Sequence, residues 1–210
     1  MSRRGRFITF EGPEGSGKTT QAARLVARLR ETGREVVATR EPGGTAVGER
    51  IRHLLQHDET GDGLVPEAEA LLFAASRAQL VREVILPALG RGAVVVCDRF
   101  HDSTAAYQGF GRGFDLAAVD AVNAFAIGPA VPDLTLFLDL DLDLGFARMA
   151  GRGGSADRME REARDFHART QAGYRALAAR EPDRFRTLDA AGDPDAVAEA
   201  VWREVARVLG

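Results

Sequence analysis

From Ala93 to Cys97 the chain runs Ala-Val-Val-Val-Cys, an unbroken apolar stretch of strand length that predicts a strand covered on both faces. Arg6–Glu11 is a β-branched and aromatic run that breaks at Gly12-Pro13, as a buried strand feeding a turn does. Glu35–Thr39, Leu134–Leu138 and Phe185–Leu188 are further strand candidates. Between the strands the apolar spacing changes from continuous to three and four. Ala22, Leu25, Val26 and Leu29 mark one face of a helix from Lys18 to Arg30 that ends near Gly33, and Val47, Ile51, Leu54 and Leu55 mark a second. Helical patterns also cover about 66–89, with Pro66 tolerated in the first turn, and 160–180. A helix begins over Leu144–Met149, and Val197, Val201, Val205 and Val208 line a last one. Strands alternating with helices predict an α/β fold: a mostly parallel sheet, helices on both faces, and sites at the carboxyl ends of the strands.

Length sharpens this to one domain, 1–210, large enough to bury a core without a disulfide or metal staple. No apolar run approaches the roughly 18 residues of a membrane span, and the start has no apolar signal region, so neither membrane nor export is expected. Cys97, the single cysteine, fits a reducing cytoplasm and reads as a small buried hydrophobe. A net charge of −3 argues against broad electrostatic binding of nucleic acid, so any anion site must be local.

The sharpest local signal is Gly12-Pro13-Glu14-Gly15-Ser16-Gly17-Lys18-Thr19, a G-x-x-x-x-G-K-[ST] phosphate cradle set between a predicted strand and helix, with Thr20 following. Backbone N–H groups and the helix N-terminus would face a phosphate, Lys18 would hold the β- and γ-phosphates of a nucleotide, and the Thr19 hydroxyl would bind Mg²⁺. Lys18 is the only lysine among 28 basic residues, so the N-K-x-D element by which switch GTPases read guanine cannot exist here. After Val94–Cys97 comes Asp98-Arg99, a carboxylate and a guanidinium at a central strand end, where many motor ATPases carry Asp-Glu. Arginine suits phosphoryl transfer, because its rigid fork grips phosphate and stays charged. Arg148, Arg152, Arg158, Arg161 and Arg164 form a second set around Gly151–Asp157, a small, polar stretch read as a mobile lid of about 150–161. Glu160, Glu162 and Asp165 interleave with them, so Arg161 and Arg164 also fit a solvated helix face.

Six segments carry a family resemblance: FEGPEGSGKTTQ (10–21), TREPGGT (39–45), LLFAASRAQ (71–79), CDRFHDSTAAYQG (97–109), PDLTLFLD (132–139) and DRMEREARDFHARTQAGY (157–174). Together they resemble the bacterial thymidylate kinases, which phosphorylate dTMP with ATP, over most of the chain and in the family's order. The resemblance implies the doubly wound five-stranded parallel sheet of nucleoside monophosphate kinases, ATP and Mg²⁺ as cofactors, a cytoplasmic location, and a homodimer formed through helices on one face of the sheet. It also implies residue roles. Phe73 would stack on thymine, with Arg77, Thr104 and Gln108 reading the base. Pro42 would crowd the base near its methyl group, and Tyr107 would pack on the deoxyribose and disfavour a 2′-hydroxyl. Glu14 would accept from the 3′-hydroxyl, Arg99 would grip the acceptor phosphate beside Asp98, and Glu41 and Arg52 would border the acceptor site. With no basic residue between Gly12 and Gly17, the mobile catalytic arginine must come from the lid, and Arg158 is the choice. The Asp139–Asp143 run departs from the family and leaves the next helix boundary open. The competing readings are a phosphate-loop kinase of another small acceptor, such as a different deoxynucleotide or a deoxynucleoside, and a nucleotide-binding regulatory protein without chemistry.

Overall fold

The computed structural model describes residues 4–151 and 157–210. Five strands, β1 (Phe7–Glu11), β2 (Val36–Arg40), β3 (Val94–Asp98), β4 (Leu134–Asp139) and β5 (Phe185–Asp189), form one sheet in the order β2-β3-β1-β4-β5, every pair parallel. From β1 the chain passes to the edge strand β2, returns to β3 beside β1, and then crosses to β4 and β5 on the other side, so a crevice opens at the carboxyl ends of β1 and β3. The predicted doubly wound sheet is therefore the one observed. The two apolar runs legible in the sequence, β1 and β3, are buried on both faces, whereas the edge strands β2 and β5 alternate with exposed positions.

Period-two alternation divides β1 between two layers. Ile8 and Phe10, with Val94, Val96, Leu134, Leu136 and Leu138, pack on α1 (Lys18–Glu31) and on the closing helix of Pro194–Leu209. Phe7, Val95 and Cys97 face the opposite side, against Leu80, Val81, Ile85 and Leu89. The helix predicted over 66–89 is α3 (Pro66–Leu80), preceded by α2 (Ala46–Gln56); it continues through a π-helical turn at Val81–Ile85 into α4 (Leu86–Gly90). A short α5 (His101–Thr104) runs into a π-helical segment, Ala105–Gly111, and is followed by α6 (Leu116–Ile127), for which the sequence offered no pattern.

The boundary left open at Asp139–Asp143 has a simple cause. Asp141 Oδ1 accepts from the N–H groups of Asp143 (2.9 Å) and Leu144 (3.3 Å), starting α7 (Leu142–Gly151). The helix expected from Glu160 begins later, as α8 (Arg164–Arg180), and ahead of it Asp157 and Glu160 bond reciprocally in a turn of their own. α9 (Pro194–Leu209) closes the chain. Of the expected lid, 152–156 and hence Arg152 lie outside the described residues. No helix among those described is long and apolar enough to cross a membrane.

Candidate active site

β1 ends at Glu11 and the chain turns through Gly12 (φ 144°), Gly15 (φ 74°) and Gly17 (φ 87°) into α1. A side chain on Gly15 would bring Cβ within 2.4 Å of Gly145 O, and one on Gly145 would sit 2.7 Å from Glu14 O, so the cradle rests backbone to backbone on α7. α1 has no side-chain cap and no acidic residue in its first turn, which leaves its N-terminal donors to an anion. Lys18 Nζ donates to Pro13 O at 2.7 Å and to Ser16 Oγ at 3.4 Å. Burial and the charge of Arg99 lower Lys18 to about 8, partly offset by Glu14 and Asp98. Thr19 Oγ1 donates to Asp98 Oδ2 at 2.6 Å. These groups line a cleft of about 640 Å³ with Thr20, Arg40, Glu41, Arg52, Arg99 and Arg148.

Asp98 and Arg99 serve opposite sides of this cleft, because Arg99 adopts φ 69°, a left-handed conformation uncommon outside glycine. Its backbone is pinned: Arg99 N donates to Phe10 O at 2.9 Å, and Phe100 N donates to the Glu11 carboxylate at 2.7 Å. Arg99 Nη1 reaches Gly12 O (3.2 Å), Ser103 Oγ (3.3 Å) and Tyr174 OH (3.1 Å). Nη2 pairs with Glu14 and meets Tyr107 OH at 3.1 Å, and Tyr107 OH donates to Glu14 Oε1 at 2.9 Å. Burial opposes a charge on Glu14, but Arg99 and Lys18 outweigh it and hold the carboxyl at about 2. Sequence reasoning misses Glu11, Ser103 and Tyr174. Glu11 accepts from Ser103 Oγ (2.6 Å) and Tyr174 OH (3.0 Å), and burial together with the charge of Asp102 raises it to about 7.

A smaller pocket of about 50 Å³ adjoins the cleft, and its walls include Pro42, Phe73, Thr104, Tyr107 and Gln108, with Glu14 and Arg99 at the junction. Arg77 stands behind it, 1% exposed. Its Nε donates to Glu41 Oε2 (2.8 Å), Nη1 to Asn123 Oδ1 (2.8 Å) and Nη2 to Thr104 Oγ1 (2.9 Å). Burial raises Glu41 to about 7 although Arg77 pulls it down. Asn123, on α6, carries no motif, and no sequence signal marks it. Arg52 Nη1 donates to Pro42 O at 3.0 Å, joining α2 to the rim.

Arg158 faces neither pocket. Its Nε donates to Leu55 O at 2.8 Å and its Nη2 to Glu69 Oε2 at 2.6 Å. Arg161 pairs with Asp62 at 3.0 Å and Arg164 with Asp143, both as surface contacts. Arg148 alone of the described lid-side arginines lines the large cleft, where it donates to the carbonyls of Ala190 (2.9 Å) and Ala191 (3.1 Å).

The arrangement is that of a two-substrate site: an anion cradle with a lysine and a hydroxyl–carboxylate pair on one side, an arginine-gated pocket with an aromatic wall on the other. Residues 10–201 match the thymidylate kinase family profile. A thymidylate kinase of Solidesulfovibrio magneticus is 53% identical over 97% of this chain and 100% of its own, and one of Pelotomaculum thermopropionicum is 57% identical over 89% and 86%. The crystal structure of thymidylate kinase from Ehrlichia chaffeensis superposes with a TM-score of 0.78 at 35% identity, covering 96% of this chain and 98% of that one. With fold, cleft and sequence agreeing over nearly its whole length, the chain belongs to the thymidylate kinase family.

Proposed function

We infer that the protein phosphorylates dTMP to dTDP with ATP as donor, a step of nucleotide biosynthesis carried out in the cytoplasm. The observation that carries this reading is the junction at Asp98-Arg99, where the cradle side of the cleft and the aromatic pocket meet across two consecutive residues. ATP would lie with its β- and γ-phosphates on the cradle amides and Lys18. The Thr19 hydroxyl and Asp98 carboxylate, two hard oxygens 2.6 Å apart and facing the same cleft, fit Mg²⁺. Bound there, the ion would neutralise phosphate charge. The dTMP phosphate would be gripped by Arg99, with Phe73 on the base, Arg77, Thr104 and Gln108 reading its edge, and Pro42 near the methyl group. Tyr107 would exclude a 2′-hydroxyl. Both donors to Glu14 fall on Oε1, so Oε2 is left for the 3′-hydroxyl. Transfer would be direct and in line, needing positioning and charge rather than a covalent intermediate. As the lid arginine, Arg158 would reach the transferred group only by leaving Glu69.

A panel of acceptors at fixed ATP, read by coupled ADP release, tests this. dTMP is expected to be turned over at a kcat/KM roughly 10³-fold above dCMP, dGMP or thymidine, as for a site that hydrogen-bonds its base. Equal or better turnover of any of the three would refute the assignment.

We also propose that the protein acts as a homodimer. Leu71 on α3 is 58% exposed and Phe125 on α6 is 84% exposed, and the apolar groove between these helices is lined by Phe114, Val119 and Val122. Sedimentation at micromolar concentration is expected to give twice the chain mass, and F125D to give one; a monomeric parent protein would contradict the proposal.

A further inference from the structure

Glu69 is 1% exposed on α3, and three side chains converge on its carboxylate. Gln108 Nε2 donates to Oε1 at 2.8 Å, Arg112 Nε to Oε1 at 3.2 Å and Nη2 to Oε2 at 2.9 Å, and Arg158 Nη2 to Oε2 at 2.6 Å. Arg112 also holds Glu162 at 2.6 Å, so two guanidinium groups and two carboxylates balance within the cluster. Burial works against the charge of Glu69, but hydrogen bonds from Arg112 and Gln108 outweigh it and keep the carboxyl below the ordinary glutamate range. The group is an anion, with no proton to give.

That has a geometric consequence at Gln108. An ionised carboxylate only accepts, so of the two ends of the Gln108 amide only the NH₂ can face it. The Gln108 carbonyl oxygen is thereby turned away from Glu69. Among the described residues no donor reaches this side-chain Oε1, and Gln108 is a wall of the small pocket beside Phe73 and Thr104. We propose that Glu69 is a positioning residue that locks the Gln108 amide with its oxygen toward the base, and so selects a pyrimidine bearing an N3–H over one whose N3 is an unprotonated acceptor. The proposal rests on the reading of this pocket as the thymine site. Thymine would offer its N3–H to the Gln108 oxygen, while cytosine would oppose one acceptor with another. If the amide were free to rotate it could serve either base, so discrimination lies in a residue behind the pocket.

Steady-state kinetics of the whole enzyme with dTMP and dCMP, on the wild type and on Glu69→Gln, test this. A glutamine at 69 keeps the shape but can present either end to Gln108. The dTMP-to-dCMP ratio of kcat/KM is expected to fall roughly tenfold, through KM for the two acceptors and with KM for ATP unchanged. The fall should vanish when E69Q is made in a Gln108→Leu background. Equal losses on both acceptors, or the same ratio change with and without Gln108, would overturn the proposal. Should E69Q fail to fold, the wild type tests the hydrogen bond on which the proposal depends: N3-methyl-dTMP is expected to raise KM at least roughly tenfold, and a KM matching that of dTMP overturns the proposal. A wild type with no preference for dTMP over dCMP would instead remove the thymine-site reading, whereas a preference retained intact by folded E69Q removes only the role of Glu69.

Discussion

Arg99→Ala is expected to lower kcat roughly 10³-fold while the protein still binds ATP. Among the described residues this side chain alone has donors that reach the cradle carbonyl of Gly12, the acceptor-side Tyr107 and Glu14, and the supporting pair Ser103 and Tyr174. Its loss removes both the grip proposed for the acceptor phosphate and the fixed charge opposite the cradle. It also strands Glu14, held at about 2 mainly by this guanidinium against burial, beside a vacated space. Removing one partner of such a part-buried, charge-assisted pair costs about 1–2 kcal/mol, so a lower Tm should accompany the lost turnover. Arg99→Lys should not rescue kcat, because an ammonium on a flexible stem cannot span five acceptors spread over two substrate sites. The left-handed φ burdens alanine and arginine alike, so backbone strain does not account for the difference. A kcat of Arg99→Ala within about tenfold of wild type would remove Arg99 from the machinery.

Lys18→Ala is expected to lower kcat by roughly 10²–10³-fold with little change in KM for dTMP, since the loss falls on the donor side. Lys18 is nearly buried, with Nζ folded back onto Pro13 O and Ser16 Oγ. The space suits a compact point charge. A guanidinium does not fit where the ammonium is already enclosed, so Lys18→Arg should be almost as inactive. Lowered to about 8 by burial and by Arg99, Lys18 is still mostly charged at neutral pH, and bound phosphates would raise it again. Single-turnover measurement with saturating ATP checks the result; a burst as fast as that of the wild type would exclude a role for Lys18 in the chemical step.

What could be read from the sequence was local. β1 and β3 announce themselves as short apolar runs, and the cradle as fixed spacing between strand and helix, because each of these is decided within about ten neighbouring residues. α6 gave no such signal: Leu116–Ile127 is apolar nearly all round, without a polar face to set a period. Its contact with the pocket, Asn123 to Arg77, spans 46 residues. Glu11 looked like the end of a strand, and only the fold brings Ser103 and Tyr174 onto it. Arg158 stands out in the sequence for its place beside the glycine-bearing stretch, but its partner Glu69 lies 89 residues earlier, and no periodicity connects the two. Residues assigned to substrate contact come in recognisable short segments; those that orient them are scattered.

The close approach of Gly15 and Gly145 sets how the cradle behaves before a nucleotide arrives. A loop so rich in glycine would ordinarily sample many shapes, but this one leans on the main chain of a helix that leaves no gap for a methyl group. It is stiffened from outside during folding, so little disorder remains to be removed when phosphate binds. The same abutment makes α7 a lever: any tilt of that helix presses on the anion site and displaces Arg148 as well.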